Sequence, residues 1–276
     1  MRPDDYPPQE PFSKIGALYH ETVMALPSPP PALEVRHGDD PYQGIAIYAA
    51  ERPSGIVLCV IHGGGWTNGY KEWMAFMAPG LVARGVTMVS LGYRLAPQHV
   101  YPAGLEDCMA GVALARDRVA AFGGDPDRMF VGGHSAGGHY ASLLALMQDW
   151  QAPRAIPADP IKGALPISGT YYFGPDSGLS MRPRFLGEES AERDAAASPM
   201  RHVHGAAPPF LVAWGERDFP HLVRQSQEFA AALEHEGVEV ERTQLDDCDH
   251  LGASYASGVA DGAWIDRAAS FMSRHA

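Results

Sequence analysis

Cysteine is scarce, with Cys59, Cys108 and Cys248 at scattered positions and no CxxC pair, which argues against a zinc site, a redox couple or a disulfide framework. No block of Lys and Arg occurs, and the formal net charge of −12 disfavours nucleic acid and anionic membrane surfaces as partners. Long apolar runs are missing as well, since none reaches the roughly 18 residues that span a bilayer. The start, MRPDDYPPQEPF, is acidic and Pro-rich and lacks the basic and apolar regions of a secretory signal. A cytoplasmic protein is therefore expected. Neither a phosphate-binding G-x-x-x-x-G-K-[ST] nor a G-x-G-x-x-G opening the first βα unit is found, so nothing implies a nucleotide, and no cofactor or metal is expected. The pair His202-x-His204 has no carboxylate or thiolate cluster nearby to complete a metal site.

What is present organises itself around Ser135. Residues 131–138, VGGHSAGG, hold a serine in G-x-S-x-G directly after an apolar run and before a stretch with helical periodicity at 138–150. Glycines on both sides permit a sharp strand-to-helix turn that lifts the hydroxyl above a sheet. The run IVLCVI at 56–61 has the length and continuity of a strand covered on both faces, and it ends in His62-Gly63-Gly64-Gly65-Trp66. Three successive glycines expose backbone N–H groups to a ligand, at the strand end where ligands bind in open α/β sheets. His62 is expected to order this loop.

The remaining chain alternates strands with helices. Strands are expected at 33–36, 44–48, 87–91, 128–132, 161–167, 210–214 and 238–245, the first two forming an antiparallel edge. Helices are expected at 12–24, 73–83, 105–122, 222–236 and 261–275. This pattern predicts one α/β domain over residues 1–276, with a mostly parallel central sheet and helices on both faces. The Pro-rich arm, residues 1–32, reads as a surface-wrapping segment, with a share in a lid over the site as the sharper alternative. Residues 169–200, rich in Gly, Ser, charge and aromatics, are expected to wall a pocket.

A serine hydroxyl is a poor nucleophile near neutral pH, so it needs a general base, and that base needs a carboxylate to fix its tautomer. Ser135, Asp218 and His250 each follow the C-terminal end of an expected strand, in the order Ser…Asp…His. Most of the twelve histidines are set aside by position, His134 and His139 because they flank the nucleophile itself. Glu216 and Asp247 rival Asp218 as the acid; Asp218 is preferred because it sits further into the turn. Trp66, Tyr70, Tyr171, Tyr172 and Phe219 fall in loops at the same rim and are expected to wall a substrate pocket suited to a flat ring.

His62-Gly63-Gly64-Gly65, Tyr93-Arg94-Leu95-Ala96-Pro97 and Gly133-His134-Ser135-Ala136-Gly137-Gly138 resemble the signature blocks of the hormone-sensitive-lipase-like carboxylesterases, which have the α/β-hydrolase fold. Kynurenine formamidases (arylformamidases) are similar in the HGG-x-W loop, in a following Lys and Phe-Met pair (Lys71, Phe76-Met77), in the GHSAG elbow and in a segment like Trp214-Gly215-Glu216-Arg217-Asp218-Phe219. The lipase-like esterases usually carry Asp where His134 stands, and the formamidases an aromatic where Gly65 stands. The resemblance runs from about Val35 onward. It implies Gly64, Gly65 and Ala136 as oxyanion donors beside the triad of Ser135, Asp218 and His250. The expected activity is hydrolysis of a small acyl ester through an acyl-enzyme, with arylformamidase as runner-up and an inactive α/β-hydrolase scaffold serving as a binding module as the contrasting class. The expected partner is a small-molecule ester or amide; the oligomeric state is left open, a homodimer being one option.

Overall fold

The computed structural model describes residues 2–276. Eight strands, β1 (Leu33–Arg36), β2 (Gly44–Tyr48), β3 (Gly55–Ile61), β4 (Thr87–Leu91), β5 (Gly124–His134), β6 (Ile161–Ile167), β7 (Phe210–Gly215) and β8 (Val240–Leu245), form one sheet in the order β1-β2-β4-β3-β5-β6-β7-β8. β1 and β2 pair antiparallel, β2 meets β4 antiparallel, and every other neighbouring pair is parallel. The expected antiparallel edge is thus β1–β2. In β3, Ile56 to Ile61 are all buried, as a strand covered on both faces requires. Each such Val, Leu or Ile contributes about 1.5–3 kcal/mol of burial.

The helices follow in chain order: α1 (Lys14–Ala25), α2 (Ala78–Ala83), α3 (Ala103–Arg118), α4 (Ala136–Leu146), α5 (Arg182–Leu186), α6 (Ala191–Ala197), α7 (Pro220–His235), α8 (His250–Ala256) and α9 (Ala263–His275). From β3 the chain steps one way to β4 and then back across to β5, so right-handed crossovers put α2 and α3 on opposite faces. α9 returns to pack beside α2 and on β6, while α4 packs beside α3. Helices therefore cover both faces, as the alternation predicts.

Several boundaries differ from expectation, β5 running Gly124–His134 where 128–132 is expected and β8 starting at Val240 where 238 is expected, and three further differences have identifiable reasons. The helix expected at 73–83 is split into a 3-10 segment, Lys71–Met77, followed by α2, because Pro79 has no N–H for an interior helical bond and is tolerated only in a first turn. The helix after Ser135 stops at Leu146 instead of reaching Trp150, whose indole N–H turns back to donate to the Leu144 carbonyl. The stretch to Phe122 is α3 plus a 3-10 turn, closed by Gly123 at φ 78°.

Two segments cross the C-terminal rim of the sheet. The arm before β1 runs over residues 68–73, with the Asn68 side chain donating to the Glu10 carbonyl, Phe12 against Trp73 and the Trp73 indole N–H donating to His20 Nδ1. The excursion at 169–200 is pinned where it begins by buried Gln225 of α7, whose Oε1 accepts from the amides of Tyr171 and Tyr172 and whose Nε2 donates to the Ser177 carbonyl. No helix among the described residues is long and apolar enough to cross a membrane.

Candidate active site

β5 delivers Ser135 and α4 carries the chain away, and the turn between them is enforced by steric limits on the main chain. Ser135 sits at φ 57°, ψ −118°, a conformation L-residues rarely adopt. Its amide donates to the Ile167 carbonyl of β6, and its carbonyl accepts from His139 in α4. A Cβ at Gly133 would lie 2.4 Å from the Ile61 carbonyl oxygen, and one at Gly137 would lie 1.9 Å from the same atom. Both glycines of G-x-S-x-G are thus required by the close passage of β3.

Ser135 Oγ lies 3.0 Å from His250 Nε2, and His250 Nδ1 lies 2.8 Å from Asp218 Oδ1. Asp218 follows β7, and its side chain is fully buried; Oδ1 also accepts from the Phe219 amide at 2.7 Å. Burial alone would raise its pKa, but the hydrogen bond and charge of His250, with smaller help from the Ser168 hydroxyl and the Phe219 amide, hold it below the ordinary carboxylate value. Asp218 is therefore ionised near neutral pH. It fixes the imidazole proton on Nδ1 and leaves the Nε2 lone pair facing the serine. The rival acids lie elsewhere: Glu216 accepts from the Asp247 amide, and the Asp247 side chain is 91% exposed beside Arg217.

His250 opens α8, a helix the sequence reading leaves out, capped by Asp249 accepting from the Gly252 amide. His134, set aside as a base, stands behind it. Its Nε2 donates to the His250 carbonyl at 2.8 Å with ring centroids 4.5 Å apart, and burial pushes its pKa far below the usual histidine value.

The glycine loop approaches Ser135 from β3. Gly64 (φ 105°) and Gly65 (φ 61°) occupy backbone conformations that glycine adopts without strain, and a Cβ at Gly64 would lie 2.1 Å from the Asn68 carbonyl oxygen. Among the described residues, no acceptor meets the amide of Gly64 or Gly65. Ala136 is the first residue of α4, where an N–H has no partner within the helix. His62 is fully buried and stacked on Tyr93 at 4.2 Å, and its Nδ1 donates to the Gly63 carbonyl. Burial lowers its pKa to about 4, so it is neutral near pH 7 and orders the loop, as expected.

Residues 58–253 match the family described as alpha/beta hydrolase fold. The chain belongs to that family. Among its relatives, the esterase LipC of Mycobacterium tuberculosis is 31% identical over 267 residues, covering 90% of this chain and 64% of that protein. Kynurenine formamidase of Salmo salar is 30% identical over 245 residues, covering 87% of this chain and 81% of that protein. The chain spans about half to two thirds of the length of LipC and of the esterase LipQ of Mycobacterium tuberculosis, 64% and 46%. The structure of a thermophilic carboxylesterase cloned from a metagenomic library superposes with a TM-score of 0.76 at 20% identity, covering 95% of this chain and 96% of that one, which shows a shared fold.

A cavity of about 430 Å³ opens above Ser135 and His250. Of the five aromatic residues expected on its wall, Phe219 lines it, with its ring 5.1 Å from that of His250. Trp66, Tyr70, Tyr171 and Tyr172 do not. Trp66, turned inward at φ 63°, stacks on Phe185 and donates its indole N–H to His139 Nδ1. Tyr70 packs between Tyr6 and Tyr42. Tyr171 is fully buried and stacked on Phe229, and Tyr172 leans over Gly174. Trp66, Tyr70 and Tyr171 instead belong to the buried core, and Tyr172 is half-buried. The wall is made by side chains the sequence reading missed: Tyr19 and Ile15 from α1, Met181 and Arg184 from the excursion, Trp73 and Leu251. The excursion thus reaches the cavity through other residues than its tyrosines. His202 and His204 donate to the carbonyls of Ala196 and Leu146, and among the described residues no cluster of His, Cys, Asp or Glu is arranged to hold a metal ion.

Proposed function

We propose that this protein is a serine hydrolase that cleaves carboxylic esters of small acyl groups through an acyl-enzyme. One observation carries the reading: the continuous relay Ser135 Oγ to His250 Nε2 at 3.0 Å and His250 Nδ1 to Asp218 Oδ1 at 2.8 Å, beside a cavity that Gly64 and Gly65 also line. His250 takes the serine proton as Oγ attacks the ester carbonyl carbon, and the amides of Gly64, Gly65 and Ala136 donate to the developing oxyanion. His250 then returns that proton to the leaving oxygen as its bond to carbon breaks, and the acyl group stays on Ser135. A water deprotonated by His250 attacks the acyl carbon; the acid departs and Ser135 regains its proton. Asp218 stays ionised and stabilises the imidazolium between steps.

The relatives named as esterases support an ester as substrate. An inactive binding scaffold is disfavoured by the intact relay, since nothing in a scaffold role requires both hydrogen bonds. The arylformamidase reading draws support from the kynurenine formamidase of Salmo salar, of which the chain covers 81%. Against it stands the room at Gly65, where an added Cβ would meet only Met181, at 3.6 Å and 3.8 Å. Acyl groups larger than formyl should fit there. The arm serves as part of the cover, because Pro11, Ser13, Ile15 and Tyr19 line the cavity.

The test is kcat/KM for aryl esters from formate to octanoate, alongside N-formylkynurenine. Short-chain esters should lead. N-formylkynurenine leading by more than about tenfold, some 1.4 kcal/mol of barrier, would replace the esterase reading with the formamidase one.

A further inference from the structure

The arm does more than cover the cavity. Gln9 forms a two-point amide pair with the peptide groups of Gly69: its Nε2 donates to the Gly69 carbonyl at 2.9 Å, and its Oε1 accepts from the Gly69 amide at 2.9 Å. Beside it, Asn68 Nδ2 donates to the Glu10 carbonyl at 2.6 Å. Residues 68–69 are thus held from outside the sheet by two consecutive arm residues. They in turn hold the oxyanion loop, because the amides of Asn68 and Thr67 donate to the Gly64 carbonyl at 3.0 Å and 3.2 Å. In a trans peptide the C=O and the following N–H point in opposite directions. Fixing the Gly64 oxygen on the Asn68 side therefore aims the Gly65 N–H to the other side, where no acceptor among the described residues meets it. Gly69, at φ 121°, is packed so closely on His62 that a Cβ would lie 2.3 Å from Nδ1, so the loop has little slack at that end.

We propose that Gln9 is a positioning residue for the oxyanion donors: through Gly69 and Asn68 it sets the plane of the Gly64–Gly65 peptide. This rests on the serine-hydrolase reading above. Removing an oxyanion donor outright typically costs 10²–10³ in kcat, and letting one drift should cost less, about tenfold. The loss belongs in kcat, because the bond to the oxyanion reaches full strength only in the transition state.

The experiment compares Gln9→Met, which keeps length and loses both hydrogen bonds, with Gln9→Ala and Gln9→Glu, which retains the acceptor for the Gly69 amide. For each, kcat and KM on a short-chain aryl ester and the affinity for an alkyl boronic acid, a tetrahedral mimic, are measured together with Tm. Gln9→Met and Gln9→Ala should lower kcat and boronate affinity in parallel, about tenfold, with KM within about twofold; Gln9→Glu should recover part of both. Glu10→Gln is the control. It cuts the ion pair from Glu10 to Arg184, 2.6 Å apart, but keeps the Glu10 carbonyl on Asn68, so kcat should stay within about twofold. A folded Gln9→Met or Gln9→Ala with wild-type kcat overturns the inference. So does an equal loss in Glu10→Gln, which would assign the effect to arm closure. The underlying reading fails separately, if Ser135→Ala retains turnover.

Discussion

The rim that carries Ser135, Asp218 and His250 and the cover that faces it are held by different forces. On the rim the constraint is the main chain: Gly133 and Gly137 have no room for a Cβ beside the Ile61 carbonyl, and Ser135 is bent to φ 57° between two parallel strands. The cover is held through side chains, with Gln9 on Gly69, the Asn68 side chain on the Glu10 carbonyl, Tyr19 Oη within 2.8 Å of Ser254 Oγ, and Arg182 bridged to Asp194. The rim therefore has one arrangement, fixed by sterics. The cover has many individually replaceable contacts, and substitutions there should tune substrate choice without abolishing chemistry.

The sharpest break in that contrast comes at Ser135. Ser135→Ala should lower kcat by roughly 10⁴ to 10⁶ with Tm preserved, because the triad members act as a unit. Asp218→Asn should follow, at about 10⁴, by leaving His250 in the wrong tautomer. Glu216→Gln and Asp247→Asn should change kcat less than about threefold, because neither side chain reaches His250. A damaging Asp247→Asn would show that the acid has been misassigned.

The buried rings beneath the rim predict a pH effect of intermediate size. Burial pushes His62 down to about 4 and His139 to about 3, so folded protein refuses protons that the unfolded chain accepts below the ordinary value near 6.5. The unfolded state then binds more protons, and stability falls as pH drops from about 6.5 towards 4, by roughly 1 kcal/mol per pH unit for each ring. Urea midpoints at pH 7 and pH 5 should differ accordingly, with a smaller difference in His139→Gln. Equal midpoints would mean that these rings titrate normally in the folded state.

The smallest effects belong to the cover. Phe219→Ala, at the cavity mouth, should change kcat/KM between short and long acyl chains by about three- to tenfold, the scale of a few buried methylenes. Tyr172→Ala should leave that ratio unaltered, since its ring does not line the cavity. A shift in the ratio for Tyr172→Ala would put that residue back on the wall.

The same division governs what the sequence discloses. The rim is legible because glycines, a serine and strand-end acids leave marks on the chain itself: β1, β2, β4 and β6 fall on the expected residues, and Ser135, Asp218 and His250 converge. α8 escapes notice because its seven residues carry no repeating apolar face, and its cap, Asp249, is hidden in a run of acids. The wall is illegible because which way a loop side chain turns depends on neighbours distant in sequence. Trp66 turns in to meet Phe185, and Tyr171 turns in to meet Phe229. Tyr19 and Met181 reach the cavity from segments with no motif at all.

The central claim is that Ser135 carries the acyl group between the two halves of the reaction. Its most direct test is mass spectrometry of protein quenched during turnover of a slow aryl ester, or after treatment with a fluorophosphonate, with peptides mapped. One acyl or phosphonyl adduct is expected on the peptide bearing Ser135, absent in Ser135→Ala. Turnover without any adduct, or an adduct on another residue with activity surviving in Ser135→Ala, would contradict it.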